Sequence, residues 1–361
     1  MSSVCILPFT RNEFSIVMSM KEHHDSIKVV SPEGIGKEGD DISILRNLPP
    51  VGIEFSNKAD WAMEISEVII ITDIDPMKKS LYQYAYTALK KAIVLSKRIL
   101  CFLKISAYEC EKFAEICKRN GGHIEFFNVT TCNIQFRENI HLFSFDEPII
   151  FVGEAIPDCD GYDVFLNIAL QFENRGKRVL AISEDSYNPL FGFTTISFDE
   201  EVTLKEQVFR INAFIHELER VQKPDVILIR LPQPMIKFSE LSPFDSGLTA
   251  YAISQAVPGD ECVFCSYSNS FDPDFWNSFS ELVESKFGYP IMKVCVSNRT
   301  IDNSSDSPLA SLRLPSEMVA REVEKLNQVK PNFFFQLFEN EIKELVDEII
   351  NSYFELPYGV I

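Results

Sequence analysis

The stretch from Ile149 to Leu166, read IIFVGEAIPDCDGYDVFL, carries the residues of this chain with the clearest spacing for ligand chemistry. A short apolar run ends in Gly153, a polar loop follows, and an amphipathic segment runs from Tyr162 to Phe172. Strand, glycine, loop and helix in this order place backbone N–H groups where α/β proteins bind anions and nucleotides. We therefore predict a ligand site formed by Gly153, Glu154, Cys159, Asp160, Gly161, Tyr162 and Asp163.

The same loop lacks the groups that phosphate chemistry needs. A working phosphate loop has further glycines, a Lys for the phosphate charge and a Ser or Thr for magnesium, whereas the nearest positions here are Asp160, Gly161 and Tyr162. The apolar run Val226 to Ile229 could supply the metal-supporting strand, but it ends in Arg230 rather than an acid. The sequence thus argues against ATP hydrolysis and favours a retained architecture with altered ligand preference or none. The N–H groups at the helix start could still bind a carboxylate.

Cys159 and Asp163 each allow two interpretations. We expect Cys159 to be more exposed than the cysteines in the strands, and a helix N-terminus would favour its thiolate. The surrounding Asp158, Asp160 and Asp163 oppose the thiolate, so a structural cysteine is favoured over a catalytic one. For Asp163, the simpler interpretation is a helix cap or a partner of the helix dipole.

Other candidate groups form weaker patterns. Asp73 and Asp75 follow an apolar strand and could hold a metal, although a capping or solvated pair is the simpler interpretation. Cys262 and Cys265 have metal-ligand spacing, but residues three apart on a strand point to opposite faces, so we predict two core thiols. The five histidines form no spaced set, and no G-x-S-x-G turn exists. We predict no metal and no cofactor.

The composition indicates a soluble globular protein with an acidic surface. Of the 361 residues, 46% are apolar and 24% are charged, with a net charge of −19. This negative charge repels nucleic-acid backbones and anionic membranes, so we predict that neither is a partner. The excess of acidic residues serves solubility or attracts a basic partner or leader peptide.

Several further features of the sequence point to the cytoplasm. No apolar run approaches the roughly 20 residues that span a bilayer. The N-terminus lacks the basic region and long apolar core of a secretory signal. The nine cysteines are scattered, and several lie in apolar runs, which is typical of buried reduced thiols. We expect a cytoplasmic protein.

The first 145 residues predict a Rossmann-like or flavodoxin-like domain, because apolar runs alternate with amphipathic segments. The runs that read as strands are Val4 to Phe9, Ile27 to Val30, Val51 to Phe55, Val68 to Thr72, Leu100 to Leu103 and His123 to Phe127. A long helix is predicted from Lys79 to Ile99. The G-x-G-x-x-G fingerprint is missing, so a dinucleotide is not indicated.

Residues 146–300 predict a second domain of the same α/β class, with a mostly parallel sheet that resembles a degenerate P-loop domain. The domain boundary is placed within Asn128 to Glu147. Residues 301–361 are predicted to be a C-terminal helical extension after a mobile polar loop, Asn298 to Ser311. In this extension Phe333-Phe334-Phe335 forms a strand or an interaction surface.

Four segments in order resemble the peptide maturation system proteins, which are encoded beside radical-SAM maturases and ribosomally made, bacteriocin-like precursor peptides. The segments are VGEAIPDCDGYDVFL, NPLFGFTTISF, PDVILIRLPQPMIKF and GLTAYAISQAVPGDECVF, and the resemblance is best over residues 149–297. Family members tend to carry Glu-x-Cys-x-Lys-Phe-Glu-like residues after the glycine; Cys159, Tyr162 and Asp163 match this pattern, and the Lys has no counterpart here. The resemblance implies a pathway rather than a reaction.

The sequence therefore predicts an accessory protein that binds a precursor peptide or a radical-SAM maturase without hydrolysing a nucleotide. Two alternatives stay open. One is a nucleotide-dependent ligase or transferase of the same pathway, and the other is a structural assembly subunit, with a homo-oligomer allowed. Whether the chain is an enzyme is left open.

Overall fold

The computed structural model describes residues 3–21, 23–127, 141–198, 202–237, 246–268, 271–302 and 311–354. The chain divides into two compact units, Met1–Thr130 with Pro189–Phe191 and Thr131–Asn188 with Gly192–Ile361. The division falls inside the stretch where the sequence places a domain boundary. Each unit contains a sheet of parallel strands with helices, which confirms the predicted α/β class. Within the described ranges, no helix combines the length and the apolar character needed to cross a membrane.

The first unit alternates strands and helices along the chain. Its strands are β1 (Ser3–Leu7), β2 (Ser26–Val30), β3 (Phe55–Ser56), β4 (Val68–Ile71), β5 (Arg98–Cys101) and β6 (His123–Phe126). Its helices are α1 (Phe14–Met20), α2 (Ala59–Ile65), α3 (Lys79–Ala92) and α4 (Ala107–Arg119). The strands pair in parallel in the order β3-β2-β1-β4-β5-β6, which is the Rossmann order rather than the flavodoxin-like one.

The core of the first unit follows from the apolar runs of its central strands. Ile69, Ile70 and Ile71 of β4 are at most 1% exposed, as expected for a strand covered on both faces. The predicted helix from Lys79 is shorter than expected and ends at Ala92, because the residues after Lys97 join the sheet as β5 and pair with β4. Tertiary pairing here overrides the helical spacing of the sequence.

The second unit contains the larger sheet. Its strands are β7 (Ile149–Glu154), β8 (Val179–Ser183), β9 (Thr194–Thr195), β10 (Val226–Pro234), β11 (Glu261–Tyr267), β12 (Ile291–Ser297), β13 (Arg299–Ile301), β14 (Ser311–Arg313) and β15 (Phe334–Phe335). Its helices are α5 (Gly161–Asn174), α6 (Leu204–Gln222), α7 (Leu248–Ala256), α8 (Pro273–Phe287), α9 (Ser316–Val329) and α10 (Glu339–Tyr353). Strands β13 and β14 form an antiparallel hairpin, and the others pair in parallel.

Strand β7 lies at the point where the winding of this sheet reverses. The strand order is β15-β12-β11-β7-β10-β8-β9, so the chain passes from β7 to one side for β8 and later to the other side for β11 and β12. Ligands of open α/β sheets bind at such switch points, at the carboxyl ends of the strands. The predicted site therefore lies at the switch point of the second sheet.

The C-terminal segment completes this sheet instead of extending from it. Phe334 and Phe335 pair with Val294 and Cys295 of β12, and α10 packs against α5. The three phenylalanines from Phe333 are at most 6% exposed, so they belong to the core and not to an interaction surface. The polar loop predicted from Asn298 begins with the strand β13, and residues 303–310 lie outside the described residues.

Asp41 fixes a loop of the first unit through hydrogen bonds from backbone N–H groups. Its carboxylate accepts from Ser43 (2.9 Å), Val51 (3.1 Å) and Gly52 (2.7 Å). Burial opposes the charge, but these hydrogen bonds outweigh burial and lower the pKa of Asp41 from 3.8 to about 2. The carboxylate thus stabilises the fold when it is ionised.

We expect Asp41→Asn to lower the free energy of unfolding at pH 7 by roughly 1–2 kcal/mol, after allowance for partial exposure. A lowered pKa gives stability that is present above the ordinary pKa and disappears as the pH falls from about 4 to about 2. The difference between Asp41→Asn and the native chain should therefore vanish near pH 2, as measured by urea unfolding. Glu33→Gln, on an exposed side chain, is the control, and a pH-independent difference would contradict the assignment.

Candidate functional site

The loop after β7 folds around the side chain of Glu154, the last residue of that strand. One carboxylate oxygen, Oε1, accepts hydrogen bonds from the backbone N–H groups of Cys159 (3.1 Å) and Gly161 (2.8 Å). Glu154 is only 6% exposed. Backbone N–H groups beside the start of a helix, which bind anions in many α/β proteins, therefore face a carboxylate of the same chain here.

Gly161 permits this close approach. A Cβ atom at Gly161 would lie 2.6 Å from Cγ of Glu154, a separation that real Cβ atoms do not reach. Gly161 is not among the residues with positive φ, so space and not backbone conformation requires a glycine here. Since α5 begins at Gly161, the carboxylate also lies at the positive end of the helix dipole.

Arg230 supplies the positive charge that balances Glu154. It lies on β10, beside Val152 of β7, and its Nη2 donates to Oε2 of Glu154 at 3.1 Å. Its Nη1 donates to Asp185 at 2.8 Å. The strand does not end at Arg230 as the sequence predicts, because β10 continues to Pro234 with an irregular register after Arg230.

Burial and charge act against each other in this ion pair. Burial raises the pKa of Glu154, and the charge of Arg230 and the N–H of Gly161 oppose that rise. Burial also disfavours the charge on Arg230, but Asp185 and Glu154 outweigh burial and raise the pKa of Arg230. The guanidinium is therefore held charged, and it stabilises the ionised carboxylate beside it.

Asp185 is held in place from the end of β8. Ser183 donates its hydroxyl to Asp185 at 2.9 Å. The fully buried Asn188 donates to the carbonyl groups of Ser183 (3.1 Å) and Thr194 (2.8 Å), which fixes the turn that carries Asp185. Arg230 is thus bound between two carboxylates, of which Glu154 is held by backbone N–H groups and Asp185 by the hydroxyl of Ser183.

The other carboxylates of the loop pair with the β13–β14 hairpin. Asp160 accepts from Nη2 of Arg313 at 3.2 Å and from the hydroxyl of Ser297. Asp158 accepts from Nη1 of Arg299 at 3.2 Å, and Arg299 is only 4% exposed. The loop contains no lysine, and its carboxylates are instead neutralised by three arginines, Arg230, Arg299 and Arg313.

The structure brings most of the predicted site residues together, although their roles differ. Gly153 does not face the loop, because its Cβ position points at the ring of Phe264 on β11, 3.2 Å away. Asp163 is buried in the first turn of α5, as a dipole partner would be. The hydroxyl of Tyr162 is buried and has no hydrogen-bond partner among the described residues.

The prediction that Cys159 is exposed is wrong. Cys159 is 0% exposed, its thiol donates to the carbonyl of Ile156, and burial raises the pKa of the thiol well above its ordinary value. The reason is that the loop turns inward so that its N–H groups reach Glu154. Burial therefore disfavours a reactive thiolate at this position.

The weaker candidates occupy structural positions. Cys262 and Cys265 are fully buried, as predicted for core thiols. Asp75 accepts from the N–H of Met77 at 2.8 Å, and Asp73 lies 3.8 Å from Nζ of Lys104. In the described part of the chain, no group of three or more His, Cys, Asp and Glu is arranged to hold a metal ion.

The sequence did not identify the partners of the loop. Asp185, Arg299 and Arg313 lie far along the chain from Glu154 and follow no motif. A usable signal did exist for Arg230 and Arg299, because Arg230 follows the apolar run Val226 to Ile229 directly and Arg299 comes three residues after the run that ends at Val296. Such residues meet at the same edge of a parallel sheet.

Comparisons with known proteins identify a fold. No protein-family model matches the sequence, and no curated protein matches it significantly. A DUF1611 family protein from Anabaena variabilis matches 97% of this chain and 100% of its own, with a TM-score of 0.60 and 10% identity.

Two further solved structures match part of the chain at low scores. The MinD cell division protein of Aquifex aeolicus covers 59% of this chain and 100% of its own, with a TM-score of 0.37 and 15% identity. Cobyrinic acid a,c-diamide synthase of Mycobacterium smegmatis covers 58% and 96%, with a TM-score of 0.35 and 11% identity. The chain has two α/β units, each with a mostly parallel sheet, and the first comparison matches this fold over nearly its whole length.

The contact between Gly161 and Glu154 can be tested by a double-mutant cycle. We expect Gly161→Ala to lower the free energy of unfolding by roughly 1–3 kcal/mol, because the new methyl group overlaps the Glu154 side chain. In a Glu154→Ala background that overlap is gone, and alanine is the better helix former. The same change should therefore be neutral or stabilising by up to about 1 kcal/mol. Additive effects in urea unfolding would contradict the geometry.

Proposed function

We propose that this protein is a cytoplasmic accessory protein of ribosomal-peptide maturation, which binds a precursor peptide or a partner maturase without nucleotide hydrolysis. The observation that carries the proposal is the position of Glu154, whose carboxylate takes the N–H groups that would hold a phosphate. The resemblance of residues 149–297 to the peptide maturation system proteins supplies the pathway.

A triphosphate would meet an unfavourable site in this loop. It would have to displace the Glu154 carboxylate from two N–H groups and from Arg230. Breaking a buried ion pair so that one charge stays uncompensated costs about 3–5 kcal/mol. No lysine of the loop offsets phosphate charge, and Arg230 lies where a P-loop enzyme has an acid for magnesium.

The charge of the chain favours a partner with a basic surface. The net charge of −19 attracts a basic leader peptide or a basic face of a maturase over several ångströms. Asp158 is paired with Arg299, but its side chain is 72% exposed, so its carboxylate is also accessible to a basic partner. Electrostatic attraction of this kind speeds association and weakens with salt.

Two measurements on the intact protein test the proposal. A pull-down with the products of the genes that flank this one should retain a precursor peptide or a maturase, more weakly as salt is raised. A precursor with a scrambled leader is the matched control. Calorimetry with ATP or GTP and magnesium should show no binding at micromolar concentrations.

The outcomes separate the proposal from its alternatives. Absence of any partner among the neighbouring gene products contradicts the accessory role. Micromolar nucleotide binding supports a ligase or transferase instead.

A further inference from the structure

The sheet of the first unit carries a small cavity on the face that is opposite to its main helical layer. One face, with Ile69 and Ile99, packs against α2, α3 and α4. Because side chains alternate along a strand, Val68, Arg98 and Leu100 lie on the other face, and all three line the cavity. Val68 and Arg98 are the first residues of β4 and β5, at the end of the strands away from the carboxyl edge where open α/β sheets usually bind ligands.

Apolar and charged side chains meet in the lining of this cavity. Val4 of β1, Phe127 after β6 and Leu190 contribute further apolar surface beside Val68 and Leu100. Leu190 belongs to the segment Pro189–Phe191 of this unit. The cavity has a volume of about 290 Å³. This volume is the share of roughly ten water molecules, so the cavity suits a ligand of about ten non-hydrogen atoms.

The charged side chains of the lining are Arg98 and Glu125, which form an ion pair next to His24. Nε and Nη2 of Arg98 donate to Oε1 of Glu125, at 3.2 and 2.9 Å. His123 approaches the same oxygen, at 3.5 Å. Among the described residues, no group bonds Nη1 of Arg98 or Oε2 of Glu125. The two side chains are 58% and 36% exposed, so a ligand can reach both.

The pair and the apolar lining together match one class of small molecule. An exposed ion pair adds little to the stability of a fold, so stability alone does not account for two charges beside Val68 and Leu100. Arg98 and Glu125 lie on neighbouring strands, which are about 5 Å apart. A free α-amino acid carries a carboxylate and an ammonium group on one carbon, at a spacing that such a pair can bind. Its side chain would then lie against the apolar lining.

We propose that this cavity binds a free α-amino acid with an apolar side chain, of the size of leucine or methionine. Arg98 binds the carboxylate, Glu125 binds the ammonium group, and Val4, Val68 and Leu100 contact the side chain. Charged hydrogen bonds at one end and apolar contact at the other fix the orientation of the ligand. The inference goes beyond the proposed function, since it concerns a small ligand of the first unit and not a peptide or protein partner.

Calorimetry on the intact native chain tests the ligand class. L-Leucine should bind saturably at one site. Leucinamide lacks the carboxylate and isocaproate lacks the ammonium group, so each should bind roughly tenfold to a hundredfold more weakly. L-Aspartate keeps both groups but brings a charge to the apolar lining, and it should not bind. The series needs no variant, so its result does not depend on how any variant folds.

Two variants assign the binding to this cavity. Arg98→Met and Glu125→Gln should each weaken L-leucine binding by about tenfold or more, because each removes one of the two charges. The ion pair of Arg119 and Glu115 on α4 is also exposed and does not line the cavity. Arg119→Met and Glu115→Gln are therefore the matched controls, and both should bind L-leucine as the native chain does.

Three results overturn the inference. The first is that neither L-leucine nor L-methionine binds saturably up to about 10 mM. The second is that leucinamide or isocaproate binds as tightly as L-leucine, because the missing charge then takes no part in recognition. The third is unchanged binding in Arg98→Met or Glu125→Gln, which places the ligand elsewhere. No partner protein and no nucleotide is present in these titrations, so their outcome is independent of the tests of the proposed function.

Discussion

The ion pair between Glu154 and Arg230 is the interaction on which the second unit depends. Glu154 is 6% exposed, and a carboxylate in such a place stays charged only when hydrogen bonds and an opposite charge replace water. Two N–H groups of the loop and the guanidinium provide them. The conformation of the loop and the placement of β10 beside β7 therefore depend on each other. Removing either member leaves a buried charge uncompensated.

The first unit has a comparable arrangement at its own switch point. After β1, the carboxylate of Glu13 accepts from the N–H of Thr10 at 2.8 Å, and Glu13 is 2% exposed. The Thr10 side chain accepts from the backbone N–H of Asn12, and Thr10 and Glu13 together form a capping box. In a Rossmann domain this is the place where a glycine-rich turn meets a pyrophosphate. Each unit thus contains a glutamate of the chain where related folds place a phosphate.

The sequence predicted the fold well because the information is local. Apolar runs such as Val226 to Ile229 and the helical spacing between them are visible without any tertiary contact. The exceptions are short elements: β15 has two residues, too few for a pattern, and it forms only because β12 offers an edge. Helix α3 likewise ends earlier than the sequence predicts because the residues from Arg98 pair with β4 as strand β5.

The sequence indicated the loop after β7 but not the interactions within it. The order of strand, glycine and loop pointed to the segment that the structure shows folded around Glu154, and the missing lysine was visible. The interactions that define it join residues 76 positions apart, for Arg230 and Glu154, and 153 apart, for Arg313 and Asp160. No spacing rule reaches so far. The burial of Cys159 was missed for the same reason, because polar neighbours indicate exposure unless a partner turns the loop inward.

The missing side chain at Gly161 has a consequence for the history of this chain. A Cβ at position 161 would overlap the inward side chain of Glu154. Substitution of either Gly161 or Glu154 alone therefore lowers stability. A larger residue at position 161 can be accommodated only if position 154 does not carry the inward glutamate. Among homologous chains, the two positions should vary together, and a lineage with lysine at the glycine position should have no acid at the end of the strand.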